Sequence, residues 1–580
     1  MLHIPPTIRK RPVVNAEFPH RQGLEPLEPR LLLSFTDVTS SVFMNGLPVG
    51  LGAIDHATAW ADFNNDGWVD LFDGGQLWRN DKGKFHKAPG PMNSHAGYGT
   101  WGDYNNDGFV DLFTGFKLYR NVNGNGTFAD VSALLPSLTT TDAIANVWGD
   151  FNNDGYLDLY IVGHQKSSSY SPDLILFNNR GNGFTKVWQE PSARPGRSVV
   201  TADFDRDADL DVYVSNYRLE PNYLFRNNGN GAFTDVAPQY GATGSNGHSI
   251  GSAWGDLDND GWLDLFAGNF SHPGQPTSEF LRNRGPNGGY KFEVKDRLDG
   301  PDWLESYGTP ALADKDNDGD LDLYFTTVYG HDRSRLYRND GNWRFVNASA
   351  GSGITPITGS QQASWADFDN DGDMDLFTGT SLGVSGKLFR NNGNNNNWLK
   401  VKLVGGGPIN HSAIGSQVRI KAGNHTQVAQ IEAQSGRGGN ANDPTLHFGL
   451  DKFNGTVSIE VFWSDGTVQN FTAGHNQVVT YTYGKTAGVE GPGAVVTGAD
   501  SAFVYWSPSG DAGDKKVTYE LQYRKNNWSV SVATVGTSTL IGGLIGTTAY
   551  RISGLQRRRL LHPAGHDDPH CRKSRIRRDI

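Results

Sequence analysis

The stretch that decides the fold is residues 62–70, which read Asp-Phe-Asn-Asn-Asp-Gly-Trp-Val-Asp. The same pattern, D-x-[DN]-x-D-[GA]-x-x-D, returns six more times, with first residues Asp103, Asp150, Asp203, Asp256, Asp314 and Asp367. Positions 1, 3, 5 and 9 carry oxygen side chains, which converge on one point only if the loop curls around a cation. Hard carboxylate and amide oxygens, without sulfur or imidazole, suit Ca²⁺. Seven copies in register predict a set of calcium loops that holds up to seven Ca²⁺.

Two other readings of this loop can be tested on its residues. An EF-hand opens in the same way but needs a Glu at position 12 and flanking helices. None of the seven loops has a Glu at position 12, and only the first has a carboxylate there, which argues against an EF-hand. The residues at position 12 are Asp73, Thr114, Ile161, Val214, Ala267, Phe325 and Thr378. The flanking residues, such as 156–162, are aromatic and β-branched, which favours strands. Plain hairpin turns are the second reading, but a turn needs one or two Asn, Asp or Gly residues and not four oxygens in alternation.

The fourth loop departs from the others. It has Ala208 where the other loops have Gly, and Ala is penalised there if the position requires a positive φ. Arg206 adds a competing positive charge inside the same loop. We therefore expect the loop that begins at Asp203 to be the weakest calcium site of the set, or an empty one.

The spacing of the loops indicates the architecture. Their first residues are separated by 41, 47, 53, 53, 58 and 53 residues, and a period near 50 with several short strands is typical of a β-propeller. Each unit continues with a Leu-Phe-Arg-Asn-like landmark (224–227), a hairpin turn and a strand such as 233–236. The last unit lacks this strand, and an orphan copy lies at 35–38. We expect the orphan strand to complete the last blade and close a seven-bladed ring.

Five tryptophans precede these loops, and we expect them in the core between blades because large aromatic side chains dominate core packing. They are Trp60, Trp101, Trp148, Trp254 and Trp365.

The repeats of residues 35–396 resemble the FG-GAP/VCBS repeats of integrin α-subunit propellers and of many bacterial secreted proteins. The resemblance implies Ca²⁺ at the blade periphery, bound by positions 1, 3, 5 and 9 and by the backbone carbonyl of position 7. The metal ligands it implies are Asp62, Asn64, Asp66, Trp68, Asp70, Asp103, Asn105, Asp107, Phe109, Asp111, Asp150, Asn152, Asp154, Tyr156, Asp158, Asp203, Asp205, Asp207, Asp209, Asp211, Asp256, Asp258, Asp260, Trp262, Asp264, Asp314, Asp316, Asp318, Asp320, Asp322, Asp367, Asp369, Asp371, Asp373 and Asp375.

The chain changes character after the repeats. Residues 397–484 lack acidic loops and have longer alternating strands. Their runs, such as 398–403 and 457–466, resemble the ASPIC/UnbV domain that follows such propellers in the cartilage acidic protein family. His447 in this module is expected to be a packed strand residue, because a single imidazole has no catalytic partner in view.

Residues 489–556 resemble a partial fibronectin type III module, with its core Trp at 506 and later strands at 519–524 and 544–550. The tail 557–580 has eight basic and three acidic residues and no periodicity. We interpret it as a disordered read-through after a frameshift, or alternatively as a genuine basic tail that contacts anionic surfaces. The predicted fold class is all-β: a seven-bladed β-propeller, a small β domain and a β-sandwich.

Charge and targeting signals bear on compartment and partners. The net charge is −11, and without the tail it is −16, with 43 basic and 59 acidic residues. The acidity belongs to the loops, and no basic stripe for nucleic acid is present. Cys571 is the only cysteine, so no disulfide framework exists. Residues 27–34 within the segment 1–34 resemble the LEPR-XLL motif, which implies export and a bacterial source. We expect a monomeric extracellular or cell-surface protein without a transmembrane segment.

No catalytic constellation is found in the sequence. Residues 247–251 fit G-x-S-x-G, but they occupy a strand position and not the strand–turn–helix that this motif requires. We therefore expect a binding or adhesion protein for a matrix, glycan or cell-surface partner, and not an enzyme. The alternatives are a secreted polysaccharide lyase or hydrolase with a channel active site, and a surface-layer protein. Aromatic side chains clustered on one exposed face would favour binding, and a pair of channel carboxylates would favour the enzyme.

Overall fold

The computed structural model describes residues 35–484, apart from 45, 49–57, 91–98, 115, 139–142, 167–168, 230, 299–302, 356, 358–361, 380–384 and 435–439. Beyond Gly484 it describes the backbone of strands between 493 and 579. The segment 1–34 and the tail residues 559–577 lie outside the described residues. Both the export segment and the read-through tail therefore stay predictions, as do the domain boundaries.

Within residues 35–391 as described, the strands form seven four-stranded antiparallel sheets, the blades of a propeller. From the innermost strand outward, blades one to four are Thr58–Ala61, Asp70–Asp73, Gln76–Asn80, Phe85–Lys87; Gly99–Gly102, Asp111–Thr114, Lys117–Asn121, Phe128–Asp130; Ala143–Gly149, Asp158–Gly163, Leu174–Asn178, Phe184–Gln189; and Gly196–Ala202, Asp211–Asn216, Tyr223–Asn227, Phe233–Asp235. Blades five to seven are His248–Gly255, Asp264–Phe270, Glu279–Asn283, Phe292–Arg297; Tyr307–Ala313, Asp322–Thr327, Arg335–Asn339, Phe345–Asn347; and Ala363–Ala366, Asp375–Thr378, Lys387–Asn391, Phe35–Asp37.

The acidic loops have the same place in every blade. Each loop joins the innermost strand to the second, and the Asp at position 9 is the first residue of the second strand. In blade one, Ala61 pairs with Asp70 across this connection. The apolar pair that follows position 9, such as Leu71 and Phe72, is fully buried, because both faces of these strands pack against other blades.

The ring is closed in two ways. The innermost strand Thr58–Ala61 contacts the innermost strands of both neighbouring blades, Gly99–Gly102 and Ala363–Ala366. The strand Phe35–Asp37 pairs antiparallel with Lys387–Asn391 and completes blade seven. The predicted all-β propeller and its closing N-terminal strand are therefore confirmed, and the closure covers an edge that would otherwise be free to pair with another chain.

The core lies between neighbouring blades, as predicted for the five tryptophans, all of which are at most 5% exposed. Helices in the described part are short: Thr39–Val42, Ala237–Tyr240 and the 3₁₀ turns Ser132–Leu134, Gly244–Asn246 and Pro286–Gly288. A two-stranded ribbon, Gln165–Lys166 with Ser169–Tyr170, projects from blade three. No described helix is long and apolar enough to span a membrane.

The module after the propeller contains two sheets. One sheet is Leu446–Asp451, Asn397–Val404 and Gln477–Thr482, and the other is His425–Gln430, Gln417–Ala422, Val457–Phe462 and Val468–Ala473. We call this module the cap domain, because it lies on the face of the propeller that carries the acidic loops. The cap residue Ala441 exchanges backbone hydrogen bonds with Thr58 and Trp60 of blade one.

The strands between 493 and 579 form two further sheets. One consists of Gly493–Gly498, Ser501–Tyr505 and Ser538–Ile541, and the other of Trp528–Thr534, Thr518–Lys525, Arg551–Arg558 and Arg578–Asp579. Trp506 and residues 544–550, on which the fibronectin type III resemblance depends, lie outside the described residues. That resemblance stays a prediction.

Candidate metal-binding loops

The first residue of each loop organises the backbone. In the first loop, Asp62 Oδ1 accepts a hydrogen bond from the N–H of Asp66 at 3.0 Å, and Oδ2 accepts one from Gly67 at 3.0 Å. Asp66 then accepts from the N–H of Trp68 at 2.9 Å. The carboxylates thus curl the backbone by the same side chain-to-backbone bonding that makes Asp a turn former.

The Asp at position 9 is fully buried in every loop. Asp70 is fully buried, and its oxygens accept hydrogen bonds from the N–H groups of Phe63 and Asn80. This arrangement repeats in every loop except the fourth, where Asp211 Oδ2 has no protein partner. Burial raises the pKa of Asp70 well above its ordinary value, and that of Asp111 to about 9.

Positions 4 and 6 of the loop require a left-handed backbone. Asn65 at position 4 has φ 57° and Gly67 at position 6 has φ 86°. Ala208, at position 6 of the fourth loop, has φ 70°, which confirms that this Ala is held in a conformation that suits Gly.

The structure brings the predicted acidic ligands together in four of the loops. Among the described residues, three carboxylates of each loop offer oxygens within 4.8 Å of one another. They are Asp203, Asp205 and Asp211; Asp256, Asp258 and Asp260; Asp314, Asp316 and Asp322; and Asp367, Asp369 and Asp371. In the first three loops position 3 is Asn, and in the first of them Asn64 Nδ2 donates to Asp66 Oδ2 at 3.0 Å.

These clusters can bind metal ions, and their buried oxygens indicate the kind of ion that fits. Asp205 Oδ1, Asp256 Oδ1, Asp316 Oδ1 and Asp369 Oδ1, one in each of the four clusters, are buried without a protein hydrogen-bond partner. A buried carboxylate oxygen without a partner is costly, and a hard divalent cation with oxygen ligands would satisfy an oxygen of this kind. The donor set therefore fits Ca²⁺.

The first carboxylates of the loops are hard to ionise without such a cation. Burial raises the pKa of Asp103 and of Asp150 to about 7, and the neighbouring carboxylates Asp107 and Asp154 add to the shift. Carboxylates that are destabilised by burial and by each other are stabilised by a bound cation, which favours their charged form.

Arginines that the sequence did not assign to the loops lie on two of them. Arg226 contacts Asp205 and Asp207 at 2.8 Å, and Arg282 contacts Asp258 and Asp260 at 2.9 Å. Both are the Arg of the Leu-Phe-Arg-Asn-like landmark, and both side chains are about one-third exposed. They neutralise part of the charge from the solvent side.

A ring of hydrogen bonds connects each loop to the next. The side chain at position 4 donates to the backbone carbonyl at position 6 of the following loop. The pairs are Asn65 to Gly108, Asn106 to Gly155, Asn153 to Ala208, Arg206 to Gly261, Asn259 to Gly319, Asn317 to Gly372 and Asn370 to Gly67. The sequence indicated Arg206 only as a competing charge, but its side chain makes the hydrogen bond to the next loop that Asn makes elsewhere.

A second ring is formed by the Asn of the landmark. Its Nδ2 donates to the position-8 carbonyl of its own loop and to the position-2 carbonyl of the preceding loop. The pairs between blades are Asn80 to Phe368, Asn121 to Phe63, Asn178 to Tyr104, Asn227 to Phe151, Asn283 to Phe204, Asn339 to Leu257 and Asn391 to Lys315. Sequence reasoning missed both rings, and the recurrence of Asn at these positions was the available signal.

The cap domain contacts the first carboxylate of several loops. Lys400 Nζ lies 3.0 Å from Asp367 Oδ2, and the N–H of Val428 donates to Asp256 Oδ2 at 3.0 Å. Gly449 packs so closely on the sixth loop that a Cβ there would lie 1.9 Å from Asp314 Oδ2. The cap is thus seated directly on the candidate metal loops.

The cap histidine His447 lies on the strand Leu446–Asp451, and its Nε2 is 3.1 Å from the carbonyl of Gly372 in the seventh loop. It occupies a packed strand position, as the sequence indicated.

Comparison with known families agrees with this arrangement. Residues 203–267 and 314–378 match the FG-GAP-like repeat, and residues 406–487 match ASPIC and UnbV. The chain is therefore a repeat protein that carries FG-GAP-like repeats followed by an ASPIC and UnbV domain, which confirms both resemblances. Neither matched family is an enzyme family.

Among curated proteins, the chain is homologous to cartilage acidic protein 1. It is 30% identical to the Homo sapiens protein over 305 residues, which cover 50% of this chain and 44% of that protein. Identity to the Mus musculus protein is 30% over 285 residues, covering 47% and 42%, and to the Xenopus tropicalis protein 28% over 287 residues, covering 47% and 42%. The match thus spans less than half the length of these relatives.

Two solved structures are also similar to parts of the chain. BBS1N in complex with ARL6DN is 13% identical, with a TM-score of 0.36 over 61% of this chain and 96% of that one. Chicken CNTN1 FN1–FN3 is 14% identical, with a TM-score of 0.10 over 43% and 93%. These TM-scores are too low to relate the folds.

Proposed function

We propose that this chain is a calcium-stabilised extracellular binding protein whose propeller is a rigid platform for a matrix, glycan or cell-surface partner. The observation that carries the proposal is a cluster of aromatic and imidazole rings on the face opposite the acidic loops. The cap domain covers the loop face, so the opposite face is the one that the propeller leaves available.

This cluster, the histidine–tyrosine platform, consists of Tyr217, His248, His272, Tyr329 and His331. Its residues come from blades four, five and six, at the start of an innermost strand or just after the end of a second strand. His272 and His331 have side chains that are 45% and 75% exposed, and the other three are half-buried. Such a cluster of rings on an uncovered face favours a binding protein.

The rings form a continuous row. The ring centroids of Tyr217 and His248 are 4.7 Å apart, those of His248 and His272 5.8 Å, and those of Tyr329 and His331 5.2 Å. The buried Phe270 joins the two halves, at 5.2 Å from both His272 and Tyr329. Rings that are fixed against a rigid scaffold lose little entropy when they bind a partner.

Polar groups surround the rings. The guanidinium of Arg197 lies over the Tyr217 ring at 4.7 Å, and Glu305 accepts a hydrogen bond from His272 Nδ1 at 2.5 Å. Apolar ring faces combined with fixed donors and acceptors are the usual composition of a recognition surface. This mixture suits a glycan best, because sugars present both apolar faces and hydroxyl groups.

Calcium has a structural role in this proposal. The cation would be held by the side chains at positions 1, 3, 5 and 9 of the loops, where it neutralises carboxylates that otherwise repel one another. Because the ion binds the folded loop and not the unfolded chain, its binding energy becomes folding energy. Millimolar extracellular Ca²⁺ would support the weaker sites, which fits an exported protein.

The platform can be tested with paired variants. Tyr217→Ala combined with Tyr329→Ala should abolish binding to a glycan and matrix-protein array in millimolar Ca²⁺. The matched control is Tyr290→Ala, which removes a half-buried tyrosine from the loop end of blade five. Loss of binding in both variants, or in neither, would contradict the proposal.

The enzyme alternative is not proposed, because both matched families are non-enzymatic. The bacterial source and the route of export stay predictions.

A further inference from the structure

The sixth loop differs from the others at position 2. That position holds a buried aromatic residue or leucine in six of the seven loops: Phe63, Tyr104, Phe151, Phe204, Leu257 and Phe368. In the sixth loop it is Lys315, whose side chain is only 5% exposed. A lysine is almost never buried to this degree unless its charge is paired.

The partners of this lysine are the predicted calcium ligands themselves. Lys315 Nζ lies 2.8 Å from Asp316 Oδ2, at position 3, and 3.1 Å from Asp322 Oδ2, at position 9. Together with Asp314, these two carboxylates form the group whose oxygens converge within 4.8 Å. The ammonium group therefore bonds to two of the three clustered carboxylates, and Asp316 Oδ1 stays buried without a protein partner.

The backbone of the sixth loop is the same as in the other loops. The N–H of Lys315 donates to Asp322 Oδ2 at 3.2 Å, and its carbonyl accepts from Asn391 Nδ2 at 2.7 Å. Both bonds have counterparts in the first loop, made there by Phe63. The difference is thus confined to the side chain, which has turned from the inter-blade core to the carboxylates.

Lysine or arginine contacts in the other loops are of a different kind. Lys400 of the cap domain bonds to Asp367 Oδ2 at position 1 and to Asp443 of the cap, and it contacts no carboxylate at position 3 or 9. Arg226 and Arg282 reach their loops from the surface and are about one-third exposed. These arginines can swing into water when a cation binds, whereas the buried Lys315 and Lys400 cannot.

A displaced Lys315 would have no favourable place to go. In the first and fourth loops the position-2 rings Phe63 and Phe204 stack on the tryptophan of the next blade, with centroids 6.5 and 6.4 Å apart. The equivalent direction from Lys315 leads to the fully buried Trp365. An unpaired ammonium group in such surroundings is strongly disfavoured.

We propose that the sixth loop is neutralised by the ammonium group of Lys315 in place of Ca²⁺, so that this loop holds its shape without metal. The proposal rests on the proposed calcium binding of the other loops. A divalent ion a few ångströms from a buried ammonium group is strongly repelled, and we expect the sixth loop to bind Ca²⁺ at least about 100-fold more weakly than the fifth, which is contacted by the partly exposed Arg282.

The test replaces the lysine by the residue type of the other loops. The full-length Lys315→Phe protein should bind one more Ca²⁺ per chain than the parent protein, measured by equilibrium dialysis followed by elemental analysis. Its melting temperature should fall by several degrees in EGTA and recover in Ca²⁺. The control Lys421→Met removes the same charge from an exposed site on the cap domain, and it should leave the calcium count unchanged. No gain of calcium in Lys315→Phe overturns the proposal.

A second pair of variants leaves Lys315 in place. Asp318→Asn and Asp260→Asn change position 5 of the sixth and fifth loops. We expect Asp260→Asn to lose one Ca²⁺ and Asp318→Asn to lose none. Loss in both variants would overturn the role of Lys315 while supporting calcium binding. Loss in neither, with no gain in Lys315→Phe, would overturn calcium binding itself.

Discussion

The ring formed by the landmark asparagines makes a quantitative prediction at Asn227. This residue is 1% exposed, and its side chain makes three hydrogen bonds. Its Nδ2 donates to the carbonyl of Phe151 at 3.0 Å and to that of Leu210 at 3.3 Å, and its Oδ1 accepts from the N–H of Gly229 at 3.0 Å. The Asn227→Ala substitution therefore leaves two carbonyls and one N–H group without their partner, and it removes the bond to Phe151 that joins blade four to blade three.

Each buried polar group that loses its partner costs about 1 to 3 kcal/mol. The carbonyls lie at the lower end of that range because they have two lone pairs, and the N–H of the half-buried Gly229 can reach water. We therefore expect Asn227→Ala to lower the free energy of unfolding by about 2 to 3 kcal/mol.

The neighbouring residue provides a matched control. Asn228 is exposed, and its Nδ2 donates to Ala232 O and Thr234 Oγ1 on the surface of the same hairpin. Water can replace both bonds, so Asn228→Ala should change the free energy of unfolding by no more than about 0.5 kcal/mol. Urea unfolding in saturating Ca²⁺, followed by tryptophan fluorescence, measures both. If the two variants were equally stable, the inter-blade ring would have no energetic role.

Three further predictions concern the loops and the cap. Ala208→Gly should stabilise the protein by about 0.5 to 1 kcal/mol in a urea titration, because Gly tolerates the left-handed backbone that Ala adopts there; a loss of stability would contradict the strain. In EGTA, the pKa of Asp103 is about 7 when folded and 3.8 when unfolded, so the folded protein binds more protons and its stability should fall as pH rises from about 4 to 7. Calcium should then raise the melting temperature of the protein more at pH 8 than at pH 5.5. An equal rise at both pH values would mean that these carboxylates are not the ligands. Lys400→Met leaves the carboxylates of Asp367 and Asp443 buried without their shared cation and should cost about 3 to 5 kcal/mol, with the cap becoming susceptible to proteolysis first; unchanged protease resistance would contradict its role in docking.

Much of the architecture could be predicted from the sequence because the determining signals are local and repeat. The nine-residue loop, the period near 50 residues and the orphan strand at 35–38 predict the blades and the closure of the ring. Each of these features depends on residues that are neighbours in sequence or on a copy that is missing from one unit. The buried tryptophans follow in the same way, since each lies just before a loop at a fixed distance.

The remaining features arise from contacts between units. Asn370 donates to the carbonyl of Gly67, and a sequence shows neither the direction of a side chain nor the identity of the blade it faces. The position of the cap domain on the propeller depends on backbone hydrogen bonds such as that between Ala441 and Thr58. Backbone bonds can be made by any residue type, so the sequence does not indicate them. Lys315 was visible as a departure from the repeat, but its meaning depends on the direction in which the side chain turns.

The most direct test of calcium as the structural ion of the propeller is a thermal melt of the protein in EGTA and across micromolar to millimolar Ca²⁺, with Mg²⁺ as the control. The oxygen-lined loops and their buried, unpartnered carboxylates predict a rise in melting temperature of many degrees that Mg²⁺ does not reproduce. A melting temperature that does not respond to Ca²⁺ would mean that the seven acidic loops are turns held by hydrogen bonds alone, and the calcium-dependent account would be wrong.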